Sequence, residues 1–325
     1  YLNIQETKMK EMSQSNILEQ LKDKIYLIAG DASPRKFYRY SNKKQLLVYC
    51  IKDKKNNLEN YCKINNYLNF NKIKAPRTIK KNIKNNYIII EDLGNNLIKN
   101  IIKKKINKSF YFKKIINELS KLQKIKHNKI LPNYTKKLMI SELNLFYKWY
   151  LPEFFSITKI KKIKKEINLI LINHIEKIVK FNKVFVHRDF HIENLILFKN
   201  RICFLDSQDA VIGHPGYDLM SLIDDVRINL KKKEQQKIYD YYVSKNKKKT
   251  NEFNFHFHVL SIQRLLKILG IFLRLYRRDK KKKYLQYLGR TWDLIELRLN
   301  HKKLKDLNTL FNKYFTKDIR KKKWI

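Results

Sequence analysis

The sequence predicts an α+β chain: a small antiparallel-sheet lobe followed by a larger helical lobe. Three observations predict it. Short apolar runs separated by polar turns fill residues 25–91, helical periodicity dominates after residue 96, and one non-helical island, 184–213, interrupts the helices. The expected division is therefore 1–95, a sheet-rich lobe, and 96–325, a helical lobe.

In chain order, Glu6–Lys24 reads as an amphipathic helix with Met9, Met12, Ile17, Leu18 and Leu21 as its apolar positions. Ile25–Ala29 is a short apolar strand, and Gly30–Pro34 is a turn. Arg35–Tyr40 and Gln45–Ile51 are strands joined by the polar turn Ser41–Lys44. Leu58–Leu68 is helical, Thr78–Lys80 and Tyr87–Glu91 are strands, and Asp92–Asn96 is a turn. Helical periods then cover about 108–126, 138–151, 158–180, 216–230, 232–245 and 252–279.

Composition narrows the class. The chain has 325 residues, enough for a sizeable core, and 43% hydrophobic residues exclude a disordered chain. Three Cys exclude a disulfide scaffold, and no apolar run approaches the roughly 18 residues of a membrane helix. A cytoplasmic protein without a membrane partner is expected. The first residue is Tyr1 rather than Met, so a piece of a longer polypeptide is expected. The net charge of +44 comes from 60 Lys and 13 Arg against 29 acids, with Lys scattered along the whole chain. Such scatter reads as a solvated basic surface rather than a specific nucleic-acid site.

The chemistry is concentrated in the island. It reads Val184-Phe185-Val186-His187-Arg188-Asp189-Phe190-His191-Ile192-Glu193-Asn194, and a strand then ends at Asp206. The H-R-D-x-x-x-x-N string and the strand ending in Asp206 resemble the catalytic loop and metal-binding strand of protein-kinase-like phosphotransferases, and phosphoryl transfer needs an oriented hydroxyl and neutralisation of a triphosphate. Asp189 would take the hydroxyl proton, and Asn194 and Asp206 are hard oxygen ligands suited to Mg²⁺. Residues 187–225 carry a net charge of −4 within a chain of +44, as a divalent-cation site requires. His187 and Arg188 are read as supports of this loop.

The string HRDFHIEN resembles the catalytic loop of protein-kinase-like phosphotransferases. Downstream, Asp206-Ser207-Gln208-Asp209-Ala210 and Gly213-His214-Pro215-Gly216-Tyr217-Asp218-Leu219 resemble the aminoglycoside phosphotransferase and choline kinase superfamily. Within it, Gly30–Arg39, Glu91–Gly94 and Gln263–Leu275 are similar to the anomeric N-acetylmuramate/N-acetylglucosamine kinase branch. The resemblance implies a two-lobed kinase-like fold and ATP with Mg²⁺ as cofactors. It implies nucleotide contacts from Ser33, Arg35, Glu91 and Leu93, and Asp218 at a helix start holding backbone N–H groups of the catalytic loop. It implies acceptor contacts from Glu142, Gln208, Asp209, Arg264 and Arg274, with Phe146, Trp149 and Tyr150 nearby. The partner would be a small sugar or amino-alcohol acceptor. Some members of that branch carry an upstream ATPase domain, which makes one an expectation for a longer form of this polypeptide.

One departure stands out. The strand Leu47-Val48-Tyr49-Cys50-Ile51 holds no lysine, although many kinases place one there; Lys52 follows it, and Arg35 or Arg39 is expected to supply the phosphate charge. Arg264, Lys267, Arg274 and Arg278 form a basic stripe along one helix, suited to an anionic sugar. The expected activity is ATP-dependent phosphorylation of an amino sugar at its anomeric hydroxyl, in cell-wall recycling. The alternatives are a choline, ethanolamine or aminoglycoside kinase, or a non-catalytic kinase-like module.

Overall fold

The computed structural model describes residues 18, 19, 21, 24–30, 35–50, 57–104, 107–126, 130–181, 183–248 and 250–324. Their strands are β1 (Ile25–Ala29), β2 (Arg35–Tyr40), β3 (Gln45–Cys50), β4 (Thr78–Asn82), β5 (Tyr87–Glu91), β6 (Val184–Val186), β7 (Leu195–Phe198), β8 (Arg201–Phe204) and β9 (Val211–Gly213). Their main helices are α1 (Asn57–Phe70), α2 (Ile98–Lys103), α3 (Lys108–Leu122), α4 (Lys136–Leu145), α5 (Ile157–Val179) and α6 (Gly216–Ile223). They continue with α7 (Lys232–Lys245), α8 (Asn251–Arg277), α9 (Leu288–Leu299), α10 (Lys305–Tyr314) and α11 (Lys317–Arg320). The expected helix Glu6–Lys24 lies almost wholly outside the described residues, as do Ser33 and Lys52.

The chain forms two compact units. The first takes residues 1–108 and 192–209, so the segment after the catalytic string belongs with the sheet and not with the helices. Its sheet has the order β1-β2-β3-β5-β4 with every pair antiparallel. The central strand β3 is covered on both faces. Val48 and Cys50 pack with Leu58, Tyr61 and Cys62 of α1, while Leu47 and Tyr49 pack with Tyr87 and with Leu18 and Leu21. A strand buried on both sides must be apolar throughout, and an unpaired ammonium inside it would lose its hydration. In the same unit, β7 and β8 form a hairpin whose turn residues Lys199 and Asn200 have φ of 47° and 61°. Two successive positive φ values match the twist of a two-residue hairpin turn.

The second unit takes residues 109–191 and 210–325. Its axis is α8, buried along most of its 27 residues and packed against α4, α6 and α9. The helix α5 presents Ile163, Ile167, Leu171, Ile175 and Ile178 as one buried stripe at helical spacing. The short pair β6–β9 sets Val184 opposite Gly213 and Val186 opposite Val211.

Two helices differ from the sequence expectation. The expected helix 138–151 is α4 followed by a π-helical turn, Phe146–Tyr150, and a 3₁₀ turn, Leu151–Glu153. Opposite this turn lies Gly270 of α8. A Cβ there would stand 2.3 Å from the Leu145 carbonyl carbon and 2.5 Å from the Phe146 nitrogen. The two backbones touch, and the widened turn sits at that contact. The expected helix 216–230 stops at Ile223. Asp224, at its C-terminus, is wholly buried and bonds Arg298 through both oxygens, at 2.6 and 2.9 Å, while Ser261 Oγ donates to it at 2.5 Å. Two aspartates at a helix C-terminus oppose the helix dipole; Asp224 is offset by Arg298 and Ser261 from other helices, and Asp225 by the adjacent Arg227 at 3.0 Å.

Candidate active site

In the second unit, the catalytic string is held from below. Asp218, in the first turn of α6, accepts hydrogen bonds from the backbone N–H groups of His187 at 2.7 Å and Arg188 at 3.1 Å. Asp218 is fully buried. Burial pushes its carboxyl up to about 7, the two N–H donors pull it down, Asp189 raises it again and Arg264 lowers it. Arg188 has φ of 70°, a left-handed conformation that costs a non-glycine residue roughly 1 kcal/mol. The two bonds to Asp218 help keep the chain in that conformation, which turns Asp189 out of the β6 direction. Asp189 is partly exposed, and His187 is buried against Phe190.

The Arg188 side chain ends on a carboxylate of α4. Its Nη2 is 2.5 Å from Glu142 Oε1, and Lys267 Nζ of α8 donates to the same oxygen at 2.8 Å. The other oxygen accepts from Tyr134 Oη, and from Gln263 Nε2 at 3.3 Å. Burial would raise the Glu142 carboxyl, but Lys267 and Arg188 override it and hold it down at about 2. Both Glu142 oxygens are thus engaged by the protein, so this residue, expected to meet the acceptor, instead positions Arg188 and Lys267. Phe146 and Tyr150 are likewise core rather than pocket walls: both are fully buried, and Tyr150 Oη accepts from Trp292 Nε1 at 2.7 Å. Trp149 is partly exposed on the same turn.

The expected basic stripe divides. Arg278 is exposed and paired with its neighbour Asp279 at 2.8 Å. Arg274 is half-buried with its Nε unpartnered among the described residues, and burial lowers its pKa. It lies ten residues beyond Arg264, about 15 Å along the helix, so these two cannot act at one small group. Arg264 is buried, and Lys267 is committed to Glu142.

In the first unit, Asn194 precedes β7 and Asp206 follows β8. The pairing Leu195 with Phe204, and the bond from Leu205 N to Asn194 O at 2.9 Å, put them at the same end of the hairpin. Asp206 has φ of 59°, in the left-handed region that non-glycine residues seldom adopt. Arg35 of β2 reaches the same place: its guanidinium is 3.5 Å from the Asp206 carboxylate and 2.5 Å from Gln208 Oε1. Gln208 Nε2 is 3.1 Å from the exposed Asp209. An amide oxygen and one carboxylate, both partly open to solvent, fit Mg²⁺, which takes few protein ligands and completes its shell with phosphate oxygens and water.

Arg39, expected as a phosphate ligand, is instead spent on the turn after β5. It pairs with Asp92 at 2.6 Å and bonds Asn95 and the Gly94 carbonyl. The Glu91 carboxylate holds Lys74 at 2.5 Å and Arg77 at 3.3 Å, which lower its pKa against the effect of burial. The Glu91 side chain is thus committed within the first unit. The acidic window of the sequence also divides. Asp224 and Asp225 serve ion pairs with Arg298 and Arg227, and Glu193 pairs with Lys99. The positive φ at Arg188 and Asp206 left no mark in the sequence. Glu142 and Lys267 were readable as charges on helices, but not as partners.

The sheet with one covering helix, the helical unit built on α8, and the loop anchored by a buried helix-start aspartate define a protein-kinase-like phosphotransferase. An aminoglycoside phosphotransferase, APH(2'')-Ib with ADP bound, has this fold at a TM-score of 0.62 and 15% identity, over 88% of this chain and 96% of that one. Residues 24–243 match the phosphotransferase enzyme family APH, and the chain belongs to that family. Among curated relatives, an N-acetylmuramate/N-acetylglucosamine kinase of Neisseria meningitidis serogroup B is 28% identical, over 79% of this chain and 80% of that protein. One of the same name from Caulobacter vibrioides is 26% identical, over 78% and 74%.

Proposed function

We propose that this chain is an ATP- and Mg²⁺-dependent kinase that phosphorylates the anomeric hydroxyl of an amino sugar, N-acetylmuramate or N-acetylglucosamine, in cell-wall sugar recycling. The observation that carries this reading is the likeness to kinases of those sugars over four fifths of the chain, with Asp189, Asn194 and Asp206 all intact. Asp189 accepts the proton of the sugar hydroxyl as its oxygen forms a bond to the γ-phosphorus of ATP. The bond from that phosphorus to the bridging oxygen breaks, and ADP leaves with the electron pair. Asn194 and Asp206 are the residues that would hold Mg²⁺; when bound, it neutralises the phosphate charge. Arg35 stands beside Asp206 and supplies the fixed positive charge that β3 lacks. The backbone of Glu91 and Leu93 serves the adenine, and Ser33 with its turn serves the phosphates.

The test is to incubate the protein with Mg-ATP and, separately, each amino sugar, an aminoglycoside and choline, and to read the product by phosphorus NMR. A sugar 1-phosphate, its phosphorus coupled to the anomeric proton, is expected from the amino sugars. Turnover of choline or an aminoglycoside alone would replace this reading.

A further inference from the structure

In the first unit, Asn65 stands among the buried positions of α1, between Tyr61 and Leu68, and is wholly enclosed. An enclosed amide in a helix interior is unfavourable unless both of its ends are bonded. Here they are. Asn65 Nδ2 donates to the Pro76 carbonyl at 3.2 Å, and Oδ1 accepts from Ser207 Oγ at 2.5 Å. A carbonyl can only accept, so the amide nitrogen must face Pro76, which fixes the amide oxygen on Ser207.

The loop at Pro76 has a second holder. One turn along α1, Asn69 Nδ2 donates to the Ala75 carbonyl at 3.0 Å, and Asn69 Oδ1 accepts from Ala75 N at 3.4 Å. What Asn65 adds is the tie to Ser207, across 142 residues of sequence. Ser207 is wholly buried and directly follows Asp206.

The φ of 59° at Asp206 costs a non-glycine residue roughly 1 kcal/mol and persists only where the surroundings over-determine it. They do so on both sides of the residue. Before it, Leu205 N is bonded to Asn194 O at 2.9 Å; after it, Ser207 is bonded to Asn65. The Arg35 guanidinium, which meets Asp206 and Gln208, lies 5.8 Å over the Tyr61 ring. Tyr61 and Asn65 are four residues apart and share one face of α1, and that face backs the turn Asp206–Gln208.

We propose that Asn65 is a positioning residue for the metal site: through Ser207 it holds Asp206 in its left-handed conformation, so that affinity for a divalent cation, and not stability alone, depends on α1. The proposal rests on the kinase reading above and names what keeps that site's carboxylate in place. Asn65 is enclosed and bonded at both ends, so it acts through Ser207 and is not itself a ligand. Without the tie, the turn relaxes towards negative φ and the Asp206 carboxylate is redirected.

The test uses the full chain and needs no turnover. Calorimetric titration with a non-hydrolysable ATP analogue, once in EDTA and once in saturating Mg²⁺, gives two dissociation constants, and their ratio is the gain due to metal. Ser207→Ala and Asn65→Leu are each expected to lower that gain about tenfold, the scale of one buried hydrogen bond, while the metal-free constant stays at its wild-type value. Asn69→Ala is the structural control: it loosens the Pro76 loop without touching Ser207, so it should lower the melting temperature and leave the gain alone. The double variant Asn65→Leu, Ser207→Ala replaces both partners by apolar groups, which leaves neither of them unpaired. It is expected to melt above Asn65→Leu and still to show the lowered gain. Recovery of the gain together with the melting temperature would make the tie merely structural and overturn the proposal. An unchanged gain in Ser207→Ala, which deletes one hydroxyl, overturns it even if Asn65→Leu does not fold. A wild type that binds no nucleotide would sink the kinase reading and the proposal with it, whereas metal-dependent binding equal in the wild type and Ser207→Ala sinks the proposal alone.

Discussion

Arg188 and Glu142 are joined by a 2.5 Å contact across 46 residues of sequence, and this bond fixes the residue before the proposed base to the helical core. The same Glu142 oxygen takes Lys267 at 2.8 Å. One carboxylate therefore neutralises part of two buried cations, and removing it leaves both uncompensated.

Glu142→Gln is expected to cost about 3–5 kcal/mol, the scale for breaking a buried ion pair from one side. The acid limb of stability should change with it. The Glu142 carboxyl is held at about 2, below its ordinary value of 4.5. Its stabilisation is complete above the ordinary value and is lost as pH falls from there towards about 2. Denaturant melts at a series of pH values should show a shallower acid limb in Glu142→Gln than in the wild type. Parallel limbs would remove Glu142 from this role.

Asp189→Asn is expected to keep the fold and nucleotide affinity while turnover drops by about 10² or more, the usual scale for a lost general base. Steady-state rates beside a nucleotide titration check this. Turnover at the wild-type rate would show that the proton leaves by another route.

Asp206→Ala and Asn194→Ala are each expected to raise the Mg²⁺ concentration needed for half-maximal rate, since each deletes one oxygen ligand. Arg35→Met is the control for charge: it removes the cation 3.5 Å from Asp206 but no metal ligand, so its effect should fall on the KM for ATP. Identical metal titrations in the wild type and both ligand variants would take Asn194 and Asp206 out of the metal shell.

Gly270→Ala and Gly289→Ala should move stability in opposite directions. A Cβ at Gly270 would stand 2.3 Å from backbone carbon of Leu145, whereas one at Gly289 meets nothing within 4 Å. The first substitution is expected to cost about 1–3 kcal/mol or more by overpacking. The second, in the first turn of α9, should gain up to about 1 kcal/mol by restricting the unfolded chain. Thermal melts of the two variants separate these effects, and a stable Gly270→Ala would show that α4 and α8 can part without loss.

Much of this was legible locally. The apolar runs within Gln45–Cys50 and Tyr87–Glu91, the long apolar period of α8 and the string His187–Asn194 each carry their information within a few residues. The absence of a lysine in β3 was also visible, but the covering of both faces of this strand was not: it comes from α1 on one side and from Tyr87, Leu18 and Leu21 on the other.

The sequence by itself determined the sheet-then-helix order and the identity of the acidic and amide groups around Asp189, Asn194 and Asp206. Tertiary structure decided which charges are already spent. Arg39 is tied to Asp92, Glu142 to Arg188 and Lys267, and Asp224 to Arg298, over separations of 46 to 125 residues. The strength of a charge depends on its desolvation and on the partner that faces it, and both are properties of packing between distant segments. For the same reason Arg264 read as one member of a basic stripe suited to an anionic sugar and is in fact a buried cation whose charge acts on Asp218.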